Sequence, residues 1–228
     1  MMHRNEEADV GDIQSIVTQL RELRLVPVIV IDDPRAAPAL GRALAEGGLP
    51  CAEVTFRTAN ARDALARLTG ECPDVLAGAG TVLTVAQATE ARAAGAKFIV
   101  APGFSPPVVD YCLDHGIPVF PGIATPTELE SALTRGLSVV KFFPAEPLGG
   151  LPYLKAISAP YGAVQFMPTG GISLSNVNSY LGFSKVVACG GSWMAPSEWI
   201  AAGVFERITN EVKRAIATIT QTSGAVGN

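Results

Sequence analysis

Histidine is nearly absent from this sequence, since the 228 residues include only His3 and His115. The chain therefore has no material for a Ser-His-Asp triad, a zinc site with several histidine ligands or an HExxH motif. His115 falls at the end of a predicted helix, where its side chain would complement the helix dipole. The sequence also contains no P-loop and no GxGxxG segment. These absences leave triad hydrolysis, histidine-bound zinc and dinucleotide chemistry without support.

Features of secreted, membrane and nucleic-acid-binding proteins are also missing. The chain is too long to need a disulfide scaffold and has no CxxC pair, so we expect four reduced thiols, at Cys51, Cys72, Cys112 and Cys189. No apolar run approaches the length of a membrane span, and residues 1–9 lack the apolar stretch of a signal peptide. The net charge of −4 comes without a basic block. We expect a cytoplasmic protein that binds neither nucleic acid nor membrane.

The composition, 48% apolar and 17% charged, predicts a packed globular chain, and its organisation is repetitive. Short apolar runs alternate with amphipathic segments, a pattern typical of parallel sheets. Eight strands are predicted, over residues 26–31, 51–57, 75–82, 98–101, 118–124, 139–145, 163–169 and 185–189. Helices are predicted over residues 11–23, 34–46, 59–68, 85–94, 107–115, 126–135, 152–158, 174–181 and 198–219.

Eight strand–helix units in one chain of this size predict a single-domain (β/α)8 TIM barrel with an extra N-terminal helix. A doubly wound open sheet is the alternative. Residues 1–10 are expected to be a flexible extension, 11–220 the barrel domain and 221–228 a frayed tail. Both architectures place functional sites at the carboxyl ends of the strands. In this chain those ends carry polar residues and glycines, such as Arg57, Thr81 and Thr169-Gly170-Gly171.

Lys141 lies inside the apolar run of the sixth predicted strand. An ammonium group is costly to bury. A lysine in this setting is therefore usually paired, or it loses its proton and becomes a nucleophile. A neutral amine can attack a ketone and form a Schiff base. The structural alternative is an ion pair with a carboxylate such as Glu53, and the two interpretations overlap because a lysine beside an acid is also a working catalytic pair.

The second predicted strand also carries chemistry on one face. Residues two apart in a strand share a face, which groups Glu53, Thr55 and Arg57 and places Val54 and Phe56 opposite. An acid, a hydroxyl and an arginine facing inward do not form an ordinary core. Because buried ion pairs give little net stability, a functional site is favoured over a structural pair.

Two glycine pairs follow the last two predicted strands, Gly170-Gly171 and Gly190-Gly191. Glycine lets the backbone approach a ligand closely, and a following helix start directs free N–H groups toward it. Loops after strands seven and eight form the usual phosphate site of such barrels. Although one Gly-Gly is commonly a turn, two pairs at adjacent strands indicate an anion site built from local groups.

Seven motifs occur in order: EVTFRT (53–58), GAGTV (78–82), PGFSP (102–106), PGIATP (121–126), KFFPAE (141–146), PTGGI (168–172) and GGSW (190–193). Together they resemble the 2-dehydro-3-deoxy-phosphogluconate (KDPG) aldolase family, also called 4-hydroxy-2-oxoglutarate aldolases. The resemblance covers nearly the whole chain. It implies a class I aldolase on a (β/α)8 barrel, usually a homotrimer, with no metal and no cofactor, acting on a phosphorylated 2-oxo acid.

The resemblance also implies residue roles. Lys141 matches the Schiff-base lysine and Glu53 the general acid/base. The remaining positions match those that contact substrate. The pyruvate half would be lined by Arg57, Thr81, Pro102 and Phe143, and the half that holds the hydroxyls and phosphate by Thr169, Gly170, Gly171, Gly191 and Ser192.

Three other functions are considered. The related 2-dehydro-3-deoxy-6-phosphogalactonate aldolase differs in stereochemistry at C4. A phosphate-binding isomerase or epimerase would leave Lys141 without a purpose. A phosphosugar-binding module without activity would not need an inward lysine–glutamate pair.

Overall fold

Parallel β-strands form the centre of the fold. The computed structural model describes residues 10–223, with side chains for residues 13–219. Its strands are β1 (Leu25–Ile29), β2 (Cys51–Thr55), β3 (Leu76–Gly80), β4 (Ile99–Val100), β5 (Val119–Phe120), β6 (Gly122–Ile123), β7 (Val139–Phe142), β8 (Gln165–Pro168) and β9 (Cys189–Gly191).

The strands belong to two sheets in which every pairing is parallel. One sheet has the order β5-β4-β3-β2-β1-β9 and the other the order β6-β7-β8. Two isolated parallel bridges join Phe166 to Val186 and Thr169 to Gly190. The predicted parallel α/β fold is therefore confirmed.

The predicted strands differ from the observed ones mainly at their carboxyl ends. The fifth is divided at Pro121, which has no N–H to donate to a ladder. The eighth was expected over residues 185–189, but the ladder begins only at Cys189, and Val186 makes an isolated bridge. Arg57 and Phe143 follow their strands instead of lying in them. Arg57 and Phe143 therefore stand on loops at the carboxyl edge.

Helices follow the strands. They are α1 (Val10–Leu23), α2 (Ala37–Glu46), α3 (Ala61–Glu71), α4 (Val85–Ala93), α5 (Pro106–Asp114), α6 (Pro126–Thr134), α7 (Gly150–Ser158), α8 (Val177–Leu181), α9 (Ser197–Ala201) and α10 (Phe205–Ser223), with a 3-10 turn at Pro34–Ala36. Thr125 begins α6 with a capping box, since its hydroxyl accepts from the Glu128 N–H and Glu128 accepts from the Thr125 N–H.

The predicted C-terminal helix is wrong in its extent. The segment 198–219 is two helices, because Gly203 adopts φ +68°, a left-handed conformation that glycine tolerates and that ends α9. The second helix, α10, continues through Ser223, past the start of the predicted tail. The rest of that tail, 224–228, and nearly all of the predicted N-terminal extension, 1–9, lie outside the described residues.

Burial follows this arrangement. Nearly every strand residue is buried, as expected for parallel strands covered by helices. The outer layer of the core comes from apolar helix faces, such as Leu44 on α2, Leu68 on α3 and Val212 on α10. The cysteines are all free and buried. Within residues 10–223, every helix is too short or too polar to cross a membrane.

Candidate active site

Lys141 and Glu53 face each other from separate sheets. Lys141 lies on β7 and Glu53 on β2, and Lys141 Nζ lies 3.7 Å from Glu53 Oε1. The two residues are 5% and 1% exposed. At this distance the charges attract, but the two atoms do not form a close hydrogen bond. Each group therefore retains hydrogen-bonding capacity for a third partner.

Glu53 has an unusual environment for a buried carboxylate. Its Oε1 atom has no hydrogen-bond partner among the described residues. A buried oxygen in this state is rare and calls for a ligand or a water molecule. The space around it depends on Gly80, where an added Cβ would lie 2.1 Å from Glu53 Oε1. The chain has thus kept a side chain out of the position next to the acid.

Aromatic and backbone groups surround Lys141. Its Nζ lies 5.0 Å from the centre of the Phe143 ring, within cation–π range. In the sheet, Lys141 is in register with Gly122. An added Cβ on Gly122 would lie 2.1 Å from the Pro102 carbonyl oxygen, so the loop after β4 packs directly against the strand beside Lys141. Pro102 therefore lies against β6, at the residue that pairs with Lys141.

The other two polar residues of the second predicted strand behave differently from Glu53. Thr55 is buried and donates its hydroxyl to the Ile29 carbonyl at 2.7 Å, so it joins two strands. Arg57 is exposed, and its Nε donates to Thr81 Oγ1 at 3.2 Å. Thr81 has φ +56°, which is strained for a threonine. The expectation that Arg57 lies within the strand is thus wrong, because the strand ends at Thr55 and Arg57 stands at the rim, where it still lines a cavity at the carboxyl edge.

A cavity of about 140 Å³ opens at the carboxyl edge of the strands. Most of the residues expected to contact substrate line it, namely Arg57, Phe143, Thr169, Gly170, Gly171, Gly191 and Ser192. Gly190, from the second predicted glycine pair, also lines it, and the lining residues that sequence reasoning did not assign to the site are Val28, Val30 and Ile172. Strand parity could have found the valines, since Val28 is in register with Glu53. Thr81 and Pro102 do not line this cavity. Thr81 accepts a hydrogen bond from Arg57, which does line it, and Pro102 packs against Gly122.

The glycine-rich loop after β8 has the conformation that its residues predict. Gly170 and Gly171 adopt φ +98° and +81°, in the region that favours glycine. Asn176 holds this loop, because its Oδ1 accepts from the Ser173 N–H and its Nδ2 donates to the Gly171 carbonyl, both at 2.9 Å. The Thr169 hydroxyl is buried against β9, where a Cβ on Gly190 would lie 2.4 Å from it. The two glycine pairs therefore form one wall.

A larger cavity of about 610 Å³ lies between the 3-10 turn and helices α9 and α10, and it shares only Val30 with the smaller one. Its basic side chain, Arg35, is already paired with Asp33 at 2.8 Å. The Arg35 guanidinium accordingly lowers the pKa of Asp33. The smaller cavity is lined by Phe143, whose ring centre lies 5.0 Å from Lys141 Nζ, and by Val28, which is in register with Glu53, so we place the chemistry there.

A buried amine beside a buried carboxylate oxygen that accepts no hydrogen bond from the described residues, at the edge where parallel strands end, belongs to the class of α/β enzymes that act on small carbonyl compounds. The comparison with known families is more specific. The family model for KDPG and KHG aldolases matches residues 16–211. The chain belongs to this family.

Individual relatives agree over most of their length. The chain is 54% identical over 195 residues to the 2-dehydro-3-deoxy-phosphogluconate aldolase of Treponema pallidum (strain Nichols), covering 86% of this chain and 93% of that protein. It is 42% identical to the KHG/KDPG aldolase of Escherichia coli (strain K12), covering 84% and 90%. The crystal structure of KDPG aldolase from Legionella pneumophila, with pyruvate captured as a covalent carbinolamine intermediate, is 40% identical with a TM-score of 0.84, covering 88% and 97%.

Proposed function

We propose that this protein is a class I aldolase that cleaves 2-dehydro-3-deoxy-6-phosphogluconate to pyruvate and glyceraldehyde 3-phosphate. The observation that carries the proposal is the buried Lys141–Glu53 pair, 3.7 Å apart, in which the Glu53 Oε1 atom accepts no hydrogen bond within the described part of the chain. A carbinolamine forms when an amine adds to a ketone. The intermediate captured in the Legionella enzyme therefore supports amine chemistry on pyruvate, and Lys141 is the buried amine of this site.

The steps of the reaction follow from the two groups. The neutral amine of Lys141 adds to the C2 carbonyl and loses water, giving a protonated imine that acts as an electron sink. Glu53 removes the proton of the C4 hydroxyl, directly or through a water molecule, and the C3–C4 bond breaks to release the aldehyde. The enamine left on Lys141 is protonated at C3, and hydrolysis of the imine releases pyruvate. One carboxylate thus serves as base and then as acid.

The surrounding residues form two groups, one for each half of the substrate. Arg57 at the rim offers a guanidinium that can bind the substrate carboxylate in a bidentate manner. Phe143, Thr81 and Pro102 complete the pyruvate half around Lys141. The hydroxyls and phosphate would be held by Thr169, Gly170, Gly171, Gly191 and Ser192.

Two other compounds are considered as substrates. The name KHG/KDPG aldolase of the Escherichia coli relative supports cleavage of 4-hydroxy-2-oxoglutarate to pyruvate and glyoxylate. The alternative substrate, 2-dehydro-3-deoxy-6-phosphogalactonate, differs only at C4. Measuring kcat/KM for both C4 epimers decides between the gluconate and galactonate activities.

Trapping with borohydride tests the central proposal. Incubation with pyruvate and borohydride, followed by peptide mass spectrometry, should place a stable adduct on Lys141. Lys141→Met should abolish both the adduct and cleavage, whereas Glu53→Gln should still form the adduct and turn over far more slowly. Lys155→Met is the matched control, because Lys155 also lies near an aromatic ring, 5.8 Å from that of Phe183, but is exposed on α7 where Lys141 is buried. An adduct on Lys155 in place of Lys141 would refute the assignment.

We further propose that the two sheets form one closed (β/α)8 barrel. Only Pro121 separates β5 from β6, and the bridge between Thr169 and Gly190 links the ends of β8 and β9. Both features support a continuous ring of strands. A crystal structure with unbroken neighbour-to-neighbour pairing around the ring would test it.

We propose a homotrimer, as the family resemblance implies. Leu83 and Val85, 55% and 37% exposed, flank the N-terminus of α4 and are suited to a subunit contact. Light scattering should give three times the chain mass of 23.7 kDa. The four free, buried thiols support a reducing compartment, and we propose the cytoplasm.

A further inference from the structure

A contact between Glu146 and Tyr180 joins two segments of the site. Glu146 follows β7, the strand of Lys141, and Tyr180 lies on α8, the helix after the glycine-rich loop. The Tyr180 hydroxyl donates to Glu146 Oε1. Tyr180 is 1% exposed. Burial and the neighbouring Glu146 carboxylate raise the pKa of Tyr180, so its hydroxyl keeps the proton that it donates.

Glu146 also lies directly against the glycine-rich loop. Its N–H donates to the Gly170 carbonyl at 3.0 Å, and the Ala145 N–H donates to the Thr169 carbonyl at 2.8 Å. The Gly171 backbone approaches the Glu146 side chain so closely that an added Cβ would lie 2.5 Å from Glu146 Cβ. The position of the loop therefore depends on where Glu146 stands.

The first turn of α7 closes over the same pair. A Cβ on Gly150 would lie 3.0 Å from Glu146 Oε1 and 3.2 Å from the Tyr180 hydroxyl. Gly150 adopts φ +65°, a conformation that glycine accepts readily. The hydrogen bond between Glu146 and Tyr180 is thus confined by three segments: the loop after β7, helix α8 and the start of α7.

We propose that Glu146 and Tyr180 are positioning residues for the phosphate half of the site. The proposal rests on the proposed function, in which the loop at Thr169–Gly171 binds the phosphate. The tyrosine hydroxyl directs a carboxylate oxygen toward α8, and the anchored Glu146 fixes the backbone of Gly170 and Gly171. A carboxylate without this anchor could turn toward the loop and would repel a phosphate group there. Neither residue touches the reacting carbons.

The test compares a phosphorylated and an unphosphorylated substrate. In Tyr180→Phe and Glu146→Ala, we expect kcat/KM for 2-dehydro-3-deoxy-6-phosphogluconate to fall about tenfold, mainly through KM, as for a lost hydrogen bond to a charged group. For 4-hydroxy-2-oxoglutarate the change should stay within about twofold, because that substrate has no phosphate to misplace. Glu146→Gln keeps an acceptor for the Tyr180 hydroxyl, so its kcat/KM for the phosphorylated substrate should fall much less than that of Glu146→Ala.

The matched control is a second tyrosine–glutamate pair away from the loop. Tyr161 donates to Glu130 at 2.8 Å, and neither residue lines the cavity, so Tyr161→Phe and Glu130→Gln should leave both substrates unaffected. If Glu146→Ala does not fold, Tyr180→Phe and its double variant with Glu146→Gln carry the test, and the double variant should be the less impaired of the two because its neutral amide cannot repel a phosphate.

The outcomes separate this proposal from the proposed function. Equal losses on both substrates, or no loss in Tyr180→Phe, would overturn the positioning role. A wild-type enzyme with no preference for the phosphorylated substrate would refute the phosphate site itself, and the positioning role with it. A wild-type preference that survives in every variant would refute the positioning role alone.

Discussion

Replacing Gly80 with alanine should disable Glu53 without unfolding the protein. Gly80 ends β3, the neighbour of β2, and an added Cβ would lie 2.1 Å from Glu53 Oε1, 2.6 Å from its Cγ and 2.7 Å from its Cδ. Real Cβ atoms essentially never approach a neighbour closer than 3.0 Å. The carboxylate would therefore have to move by about 1 Å even to reach that limit.

The size of the effects on stability and on kcat depends on which atoms move to relieve the clash. The clash falls on the end of a flexible side chain, so it is relieved by moving Glu53 and not the backbone, and the stability cost should lie near the low end of the ~1–3 kcal/mol typical of overpacking. A displacement of 1 Å can cost about 100-fold in rate. That loss lies within the ~10²–10⁴-fold that a general acid–base group contributes. We expect kcat to fall about 100-fold, or ~2.7 kcal/mol in activation free energy.

The assay measures turnover and imine formation separately. Pyruvate release, coupled to lactate dehydrogenase, gives kcat, and borohydride trapping reports on Lys141, whose adduct should persist. Gly70→Ala is the control, because no heavy atom of the described residues lies within 4 Å of its added Cβ and it lies in helix α3. It should keep full activity with slightly higher thermal stability. A folded Gly80→Ala enzyme with wild-type kcat would refute the reasoning, and an equal loss of trapping would place the damage at Lys141.

Two further predictions concern the rim and the core. Arg57→Lys should raise KM for the substrate about tenfold with a smaller change in kcat, because an ammonium cannot bind a carboxylate in a bidentate manner. Steady-state kinetics would show an unchanged KM if Arg57 does not bind the substrate carboxylate. The buried thiols should resist iodoacetamide at pH 8 until the protein is unfolded, because burial raises the pKa of Cys51 and Cys189 and raises that of Cys112 to about 12, which keeps the thiols neutral. Mass mapping that finds rapid native-state labelling at Cys112 would contradict this.

Much of the fold could be predicted because its signals are local. Apolar runs alternating with amphipathic segments indicate parallel strands and covering helices wherever each element has enough residues to show its period. Lys141 and Glu53 could be found for the same reason, since a charged residue within an apolar run breaks the pattern at one position. Their common inward direction follows from strand parity.

Errors occurred where an element's end depends on contacts with distant segments. The second strand reads as apolar and alternating through Arg57, yet pairing stops at Thr55 and the arginine turns to Thr81. The helix expected over 198–219 is broken at Gly203, whose left-handed backbone conformation is set by the segments packed around it. Local propensity is too weak to place such boundaries against tertiary contacts.

Residue type and periodicity along single segments were enough to predict the parallel α/β fold, the candidate nucleophile Lys141, its candidate acid partner Glu53 and the glycine-rich loops. Only the tertiary structure decided how far apart Lys141 and Glu53 stand, that Gly80 leaves space for the carboxylate, and that Tyr180 anchors Glu146 beside the loop. These are distances between residues far apart in the chain. They are set by how strands and helices pack together, and no pattern within one segment contains them.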